Sequence, residues 1–155
     1  MFKQAVVVSE LPEVRSSMYP EPFRSRMGDR VKRRLGEAFG LKQFGVNLVR
    51  LQPGGQSALR HFHSHEEELV YVLEGELVLI TNVGEQTVRA GMCVGFPANT
   101  GDAHHLVNRS TSEAVYIEVG SREEDDQAFY PDDDLCWLPD GKGGMAPGHK
   151  NGAPY

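Results

Sequence analysis

Cysteine is scarce: there are two in 155 residues, Cys93 and Cys136, and they belong to no paired spacing. Free thiols rather than a bridge are expected, with Cys93 read as a buried, inert side chain. Long apolar runs are missing too. None approaches the ~20 residues of a membrane span, and the start MFKQAVVVSELPEV has too short an apolar core for a secretory leader. No membrane partner and a cytoplasmic location are the expectation. Internal repeats are not evident. The basic run Val31-Lys32-Arg33-Arg34-Leu35 lacks the context of a nucleic-acid reader, so no nucleic-acid partner is expected and the run is read as a solvated or intersubunit face.

The residues present describe a globular chain, 39% hydrophobic and 25% charged, with a net charge of -6. A single domain of this length buries about 68–70% of its unfolded surface, so a bound metal would serve function rather than hold the fold together. Charge is uneven along the chain. Residues 1–45 carry a net +4, whereas residues 46–121 and 122–155 carry -5 each. A basic arm and an acidic tail can lie against each other or against a second subunit, and a homodimer is expected.

Residues 1–43 read as an arm laid on the rest, with a β-branched run at Ala5 to Val8 and a proline-stiffened Tyr19-Pro20-Glu21-Pro22-Phe23. From 44 to 121 short strands alternate with turns. The candidates are Phe44 to Leu51, Leu59 to Ser64, Leu69 to Leu73, Glu76 to Thr81, Gln86 to Arg89, Cys93 to Phe96, His105 to Asn108 and Ala114 to Val119. Gly75 stands between two apolar runs as in a hairpin turn. Eight short strands at this spacing predict an all-β barrel or sandwich with one cavity. Residues 122–155 form a tail with acidic runs, a Gly/Pro-rich end, and enough apolar residues, Trp137 among them, to pack on the barrel or on a partner.

The chemistry concentrates between Gly55 and Gly75, GQSALRHFHSHEEELVYVLEG. His61, His63 and His65 alternate, so on an extended strand they share a face, where a carboxylate from the returning chain can join them. Imidazole nitrogens with a carboxylate oxygen suit a divalent first-row ion. The stretch resembles the first cupin motif, G(x)5HxH(x)3,4E(x)6G, with Gly55, His61, His63, Glu68 and Gly75 at its fixed positions. Downstream, Gly91, Pro97, Gly101, His104 and Asn108 resemble the second motif, G(x)5PxG(x)2H(x)3N, except that three residues rather than one separate Pro97 from Gly101. The resemblance spans roughly residues 44–119. It implies a double-stranded β-helix, or jelly roll, of the single-domain cupin type, with His61, His63, Glu68 and His104 as metal ligands.

Neighbouring residues receive other roles. His65 falls in the turn and outside the motif, so a supporting or surface position is expected. His105 points away from its neighbour His104 on a strand. Arg60, of opposite parity to His61, is read as an outward salt-bridging residue, and Asn108 as a hydrogen-bonding group that fixes a turn. Tyr71, Phe96 and Tyr116 are either cavity lining or ordinary sheet aromatics.

The expected function is to hold one divalent metal, with Fe2+, Mn2+, Ni2+ and Zn2+ not distinguished. With it the protein would bind a small oxygen-rich molecule, a sugar derivative or organic acid. Metal-dependent isomerase, decarboxylase, hydrolase and dioxygenase chemistry all remain open, as does a non-catalytic binding or sensing module, because the fold hosts them all.

Overall fold

The computed structural model describes residues 4–141 and 144–155, so the first three residues of the arm and two of the tail lie outside it. After a 3-10 turn at Val8–Glu10 come α1 (Phe23–Arg26), β1 (Arg30–Arg34), α2 (Leu35–Ala38), β2 (Phe44–Leu51), β3 (Phe62–His63), β4 (Glu68–Glu74), β5 (Glu76–Thr81) and β6 (Gly84–Arg89). The remaining strands are β7 (Cys93–Phe96), β8 (His105–Val107), β9 (Ala114–Ser121), β10 (Ala128–Phe129), β11 (Cys136–Pro139) and β12 (Met145–Gly148). A five-stranded antiparallel sheet in the order β1-β2-β9-β4-β7 faces a three-stranded sheet, β6-β5-β8. This is the all-β jelly roll.

Period-2 alternation decides what faces inward. Val49 and Leu51 of β2, Val70 and Val72 of β4, and Ala114 and Tyr116 of β9 meet Leu77, Leu79, Val88 and Leu106 of the facing sheet in one buried core. Burial of these side chains is the main stabilising contribution, about 1.5–3 kcal/mol for each large apolar group.

Five local expectations change. Gly75 is not a hairpin turn, because β4 pairs with β7 and β9 while β5 pairs with β6 and β8. It is the corner where the chain crosses between sheets. Its φ is +74°, and a Cβ there would lie 2.8 Å from the Glu113 carbonyl oxygen, so only glycine fits. Cys93 is exposed rather than buried, since Val94 and Phe96 take the inward positions of β7. The run Ala5 to Val8 forms no strand, and Leu59 to Ser64 narrows to β3. Finally, Arg30 to Arg34 is not a surface arm. It pairs in register with β2 as the fifth strand of the large sheet, and Val14 bridges Lys32 along its outer edge.

Behind the site lies a second apolar cluster: Phe23, Met27, Leu59, Tyr130 and Leu135, with Tyr19, Ala128 and Trp137 packed against it. The tail thus lies on the barrel of its own chain. Strand β10 pairs with β3, placing Ala128 opposite His63.

Candidate metal centre

His61 and His63 reach the site from the segment that ends in β3, and Glu68 opens β4 after a four-residue turn. His104 is brought alongside by a backbone bridge, with the His104 N–H donating to the His61 carbonyl at 2.8 Å and the His61 N–H returning at 3.1 Å. The extra residues between Pro97 and Gly101 are absorbed in a loop where Asn99 (φ 57°) and Gly101 (φ 71°) are left-handed, and the Asn99 N–H donates to the His63 carbonyl.

Ligand atoms of His61, Glu68 and His104 all lie within 4.8 Å of one another, and His63 stands beside them, within reach of Glu68. Glu68 Oε2 lies 2.8 Å from His104 Nε2, 3.7 Å from His61 Nε2 and 4.0 Å from His63 Nε2. The side chain of His65 is exposed and touches Ser64 rather than the cluster, so the shared-face reading holds for two of the three alternating histidines. The strand ends at His63, and with it the alternation. His105 bonds the Ala58 carbonyl and stays outside the cluster. Arg60 points away too, in a bidentate pair with Asp132 at 2.6 and 2.7 Å. Asn108 donates to the Leu51 and Ser112 carbonyls and accepts from Ser110, which ties its turn to β2.

Two of the rings are set from behind. His61 Nδ1–H donates to the Leu59 carbonyl at 2.8 Å, and His63 Nδ1–H to Asp126 Oδ2 at 2.6 Å, which leaves both Nε2 lone pairs facing Glu68. Asp126 also accepts from the backbone N–H groups of His65 and Glu66, so one carboxylate from the tail holds the turn between the second histidine and Glu68. His104 is oriented differently. Its Nδ1 is buried without a partner among the described residues, and its ring lies flat on Phe96, centroids 3.4 Å apart.

Electrostatics favour the ligating forms. Burial, reinforced by the neighbouring imidazoles, lowers the His61 pKa to about 4, so it is neutral at pH 7. Burial pushes the Glu68 carboxyl up, but the His104 hydrogen bond and the surrounding histidines outweigh it and bring it to about 2. A neutral His61 beside an ionised Glu68, with ring nitrogens of two further histidines turned toward the same oxygen, is a donor set that fits a divalent transition ion. His63, Glu66 and Asp126 form a second cluster of potential ligand atoms, but His63 Nδ1 and Asp126 are engaged with each other.

These groups open on a cavity of about 500 Å³. Its walls include Tyr19, Tyr130 and Trp137 on one side, and Lys32, Asn47 and Glu118 on the other. Tyr130 stacks over His61 and accepts a hydrogen bond from the Trp137 indole N–H. Glu118 accepts from Lys32 Nζ at 2.5 Å and Asn47 Nδ2 at 2.9 Å. Sequence reading passed over Glu118, although its parity with Tyr116 in β9 was a usable signal. For Asp126 no local signal exists, since it is the last of four consecutive acids.

A jelly roll with a histidine–carboxylate cluster at the mouth of its inner cavity defines a class, and comparison places the chain within it. Residues 47–120 match the model of the Cupin domain. A sugar phosphate isomerase of the cupin superfamily from Silicibacter pomeroyi is 39% identical over 98% of this chain and 96% of its own, with a TM-score of 0.91. The chain belongs to the cupin superfamily. A second structure, described as a putative sugar phosphate isomerase from Acidithiobacillus ferrooxidans, is 30% identical over 83% of this chain and 81% of its own, at a TM-score of 0.72. The polyketide cyclase RemF from Streptomyces resistomycificus shares the fold, at 22% identity, 78% and 80% coverage and a TM-score of 0.62. No curated protein matches the chain. Among the described residues no helix is long and apolar enough to cross a membrane.

Proposed function

We propose that the protein holds one divalent transition-metal ion through His61, His63, Glu68 and His104, and uses it to isomerise a small oxygen-rich sugar derivative bound in the cavity. The observation that carries this reading is the convergence of three Nε2 atoms on Glu68 Oε2 at the cavity wall. Such an ion, when bound, supplies Lewis-acid polarisation of a carbonyl or hydroxyl oxygen. The chain's own groups supply the rest. Glu118 faces the same cavity from β9; Lys32 and Asn47 hold its Oε1 in place, and its other oxygen is suited to carry a proton between adjacent carbons. Tyr19, Tyr130 and Trp137 wall the other side and limit water. The names of the two relatives at 39% and 30% identity support a sugar-derivative substrate.

Metal analysis of protein purified without chelators, followed by an aldose–ketose turnover screen with that metal restored, tests the proposal. A folded preparation that stays metal-free after exposure to Fe2+, Mn2+, Ni2+ and Zn2+ rejects it. A non-catalytic binding or sensing role would keep the same site but not need Glu118 as a base. Glu118→Gln separates the two: for an isomerase it abolishes turnover while ligand still binds.

We further propose a cytoplasmic homodimer. Its support is the outer face of β4, where Leu69 (45%), Tyr71 (42%) and Leu73 (39%) remain exposed side by side next to Cys93. Light scattering at micromolar concentration should report twice the chain mass.

A further inference from the structure

Strand β1 turns charge inward. Arg30, Lys32 and Arg34 all line the cavity, whereas Val31 is buried on the opposite side and Arg33 bonds the Leu11 carbonyl and Glu13 there. Three cations on the inner face of a barrel strand are costly unless something negative meets them. Lys32 pairs with Glu118, while Arg34 and Arg122 share Glu37 at 3.1 and 3.6 Å. Arg30 has no such partner. Among the described residues it meets no carboxylate, and its guanidinium bonds the Ser57 carbonyl. The cavity wall therefore holds four cations, Arg30, Lys32, Arg34 and Arg122, against the three carboxylates Glu37, Glu68 and Glu118. This local excess of positive charge sits inside a protein whose net charge is -6.

A second, independent feature lies in the same wall. Tyr116 is 0% exposed, and its hydroxyl has no hydrogen-bond partner among the described residues. A buried hydroxyl left unpaired costs free energy unless a ligand completes it. In register, Lys32 stands opposite Val49 and Val49 opposite Tyr116, so the ammonium and the hydroxyl rise from one row of the sheet toward one space.

We propose that Arg30, Lys32 and the Tyr116 hydroxyl form an anion subsite that binds the phosphate of a phosphorylated small substrate, leaving its reacting oxygens toward the histidine cluster. A guanidinium fork, an ammonium and a hydroxyl together offer enough donors for the three terminal oxygens of a phosphate monoester, more than the two oxygens of a single carboxylate can take up. Only the direction in which the substrate lies rests on the isomerase reading. The subsite itself needs no metal.

Calorimetry on metal-free protein tests it directly, with inorganic phosphate, ribose 5-phosphate, ribose and ribonate as probes. Ribose 5-phosphate and phosphate should bind, and ribose should not. Arg30→Gln should weaken phosphate binding at least tenfold. Tyr116→Phe should weaken it several-fold with no loss of melting temperature, since the hydroxyl it removes has no partner. Arg109→Gln, an exposed surface change, should do nothing. No phosphate binding by the wild type, or equal binding by Arg30→Gln and Tyr116→Phe, overturns the subsite. Ribonate binding as tight as ribose 5-phosphate overturns the assignment to phosphate. Protein that binds phosphate as expected but takes up no metal keeps the subsite and rejects the metal reading, and the converse result rejects the subsite alone.

Discussion

The same strands build both ends of the barrel's inner face, and the two ends differ in everything but backbone. Along β2 the inward positions run Asn47, Val49, Leu51; along β9, Glu118, Tyr116, Ala114; along β4, Glu68, Val70, Val72. In each strand the first side chain faces the cavity, and the last is locked into the core with the facing sheet. Parity decides which face a side chain takes, whereas position along the strand decides whether it meets packed methyl groups or a ligand. The packed end holds the open end still. Glu68 and Val72 lie on one short rigid strand, so the carboxylate is placed by core packing two pairs away.

Breaking the packed end should have the largest effect. Leu51→Ala leaves a cavity at a fully buried position and should cost about 2–5 kcal/mol of stability in chemical denaturation, while molecules that remain folded keep their metal affinity. Glu68→Gln should strike the metal first. It removes the oxygen on which the three imidazoles converge, so metal titration should show a loss well beyond tenfold, and the melting temperature of the metal-free protein should fall at neutral pH as well, because the ionised carboxylate is stabilised by its histidine neighbours in the folded state. His104→Ala belongs with it, at more than tenfold weaker metal binding, whereas His105→Ala should stay within a few-fold. Equal losses in these two histidine variants would mean that the long loop after Pro97 leaves the register of His104 unsettled.

A smaller effect tests the support from the tail. Asp126→Asn weakens the acceptor that holds His63 Nδ1–H, and metal affinity should fall roughly ten- to hundredfold, since outer partners of ligating histidines have effects of that size. The mildest perturbation is pH. His61 titrates near 4 when folded against an ordinary value of 6.5, so as pH falls the unfolded chain takes up its proton first and the folded state loses stability between about 6.5 and 4. Glu68, ordinarily 4.5 and near 2 here, adds a further loss below about 4.5. Melting temperatures of metal-free protein should therefore decline steadily from neutral to acid pH, and His61→Gln should flatten the upper part of that decline. A flat profile in the wild type would show that the cluster is solvated rather than enclosed.

The sequence by itself determined the barrel and the cluster. Strands β2, β5 and β7 form with the bounds that alternation and turn residues predict, because both signals are local and set by side-chain parity and backbone sterics. That His61, His63 and Glu68 would meet was legible from their spacing, since a few residues of chain between strand ends leave little freedom; that His104 would join them, 36 positions after Glu68, was legible only through the resemblance to the second cupin motif. Asn108 was legible for the same reason.

Only the tertiary structure decided which way the remaining groups face and what stands behind them. Nothing local says that β1 joins the large sheet, so nothing local turns Arg30 and Lys32 inward. Gly75 reads equally well as a hairpin turn or a corner until the two sheets are seen to separate there. Asp126 reaches His63 across 63 positions, and Tyr130 stacks on His61 across 69, contacts that exist because the tail buries its aromatics against the barrel wall. Spacing along a chain brings together groups that lie within a turn or two of one another, as His61, His63 and Glu68 do; the carboxylate behind a histidine and the charge facing it are set by packing between distant segments, which composition and period do not encode.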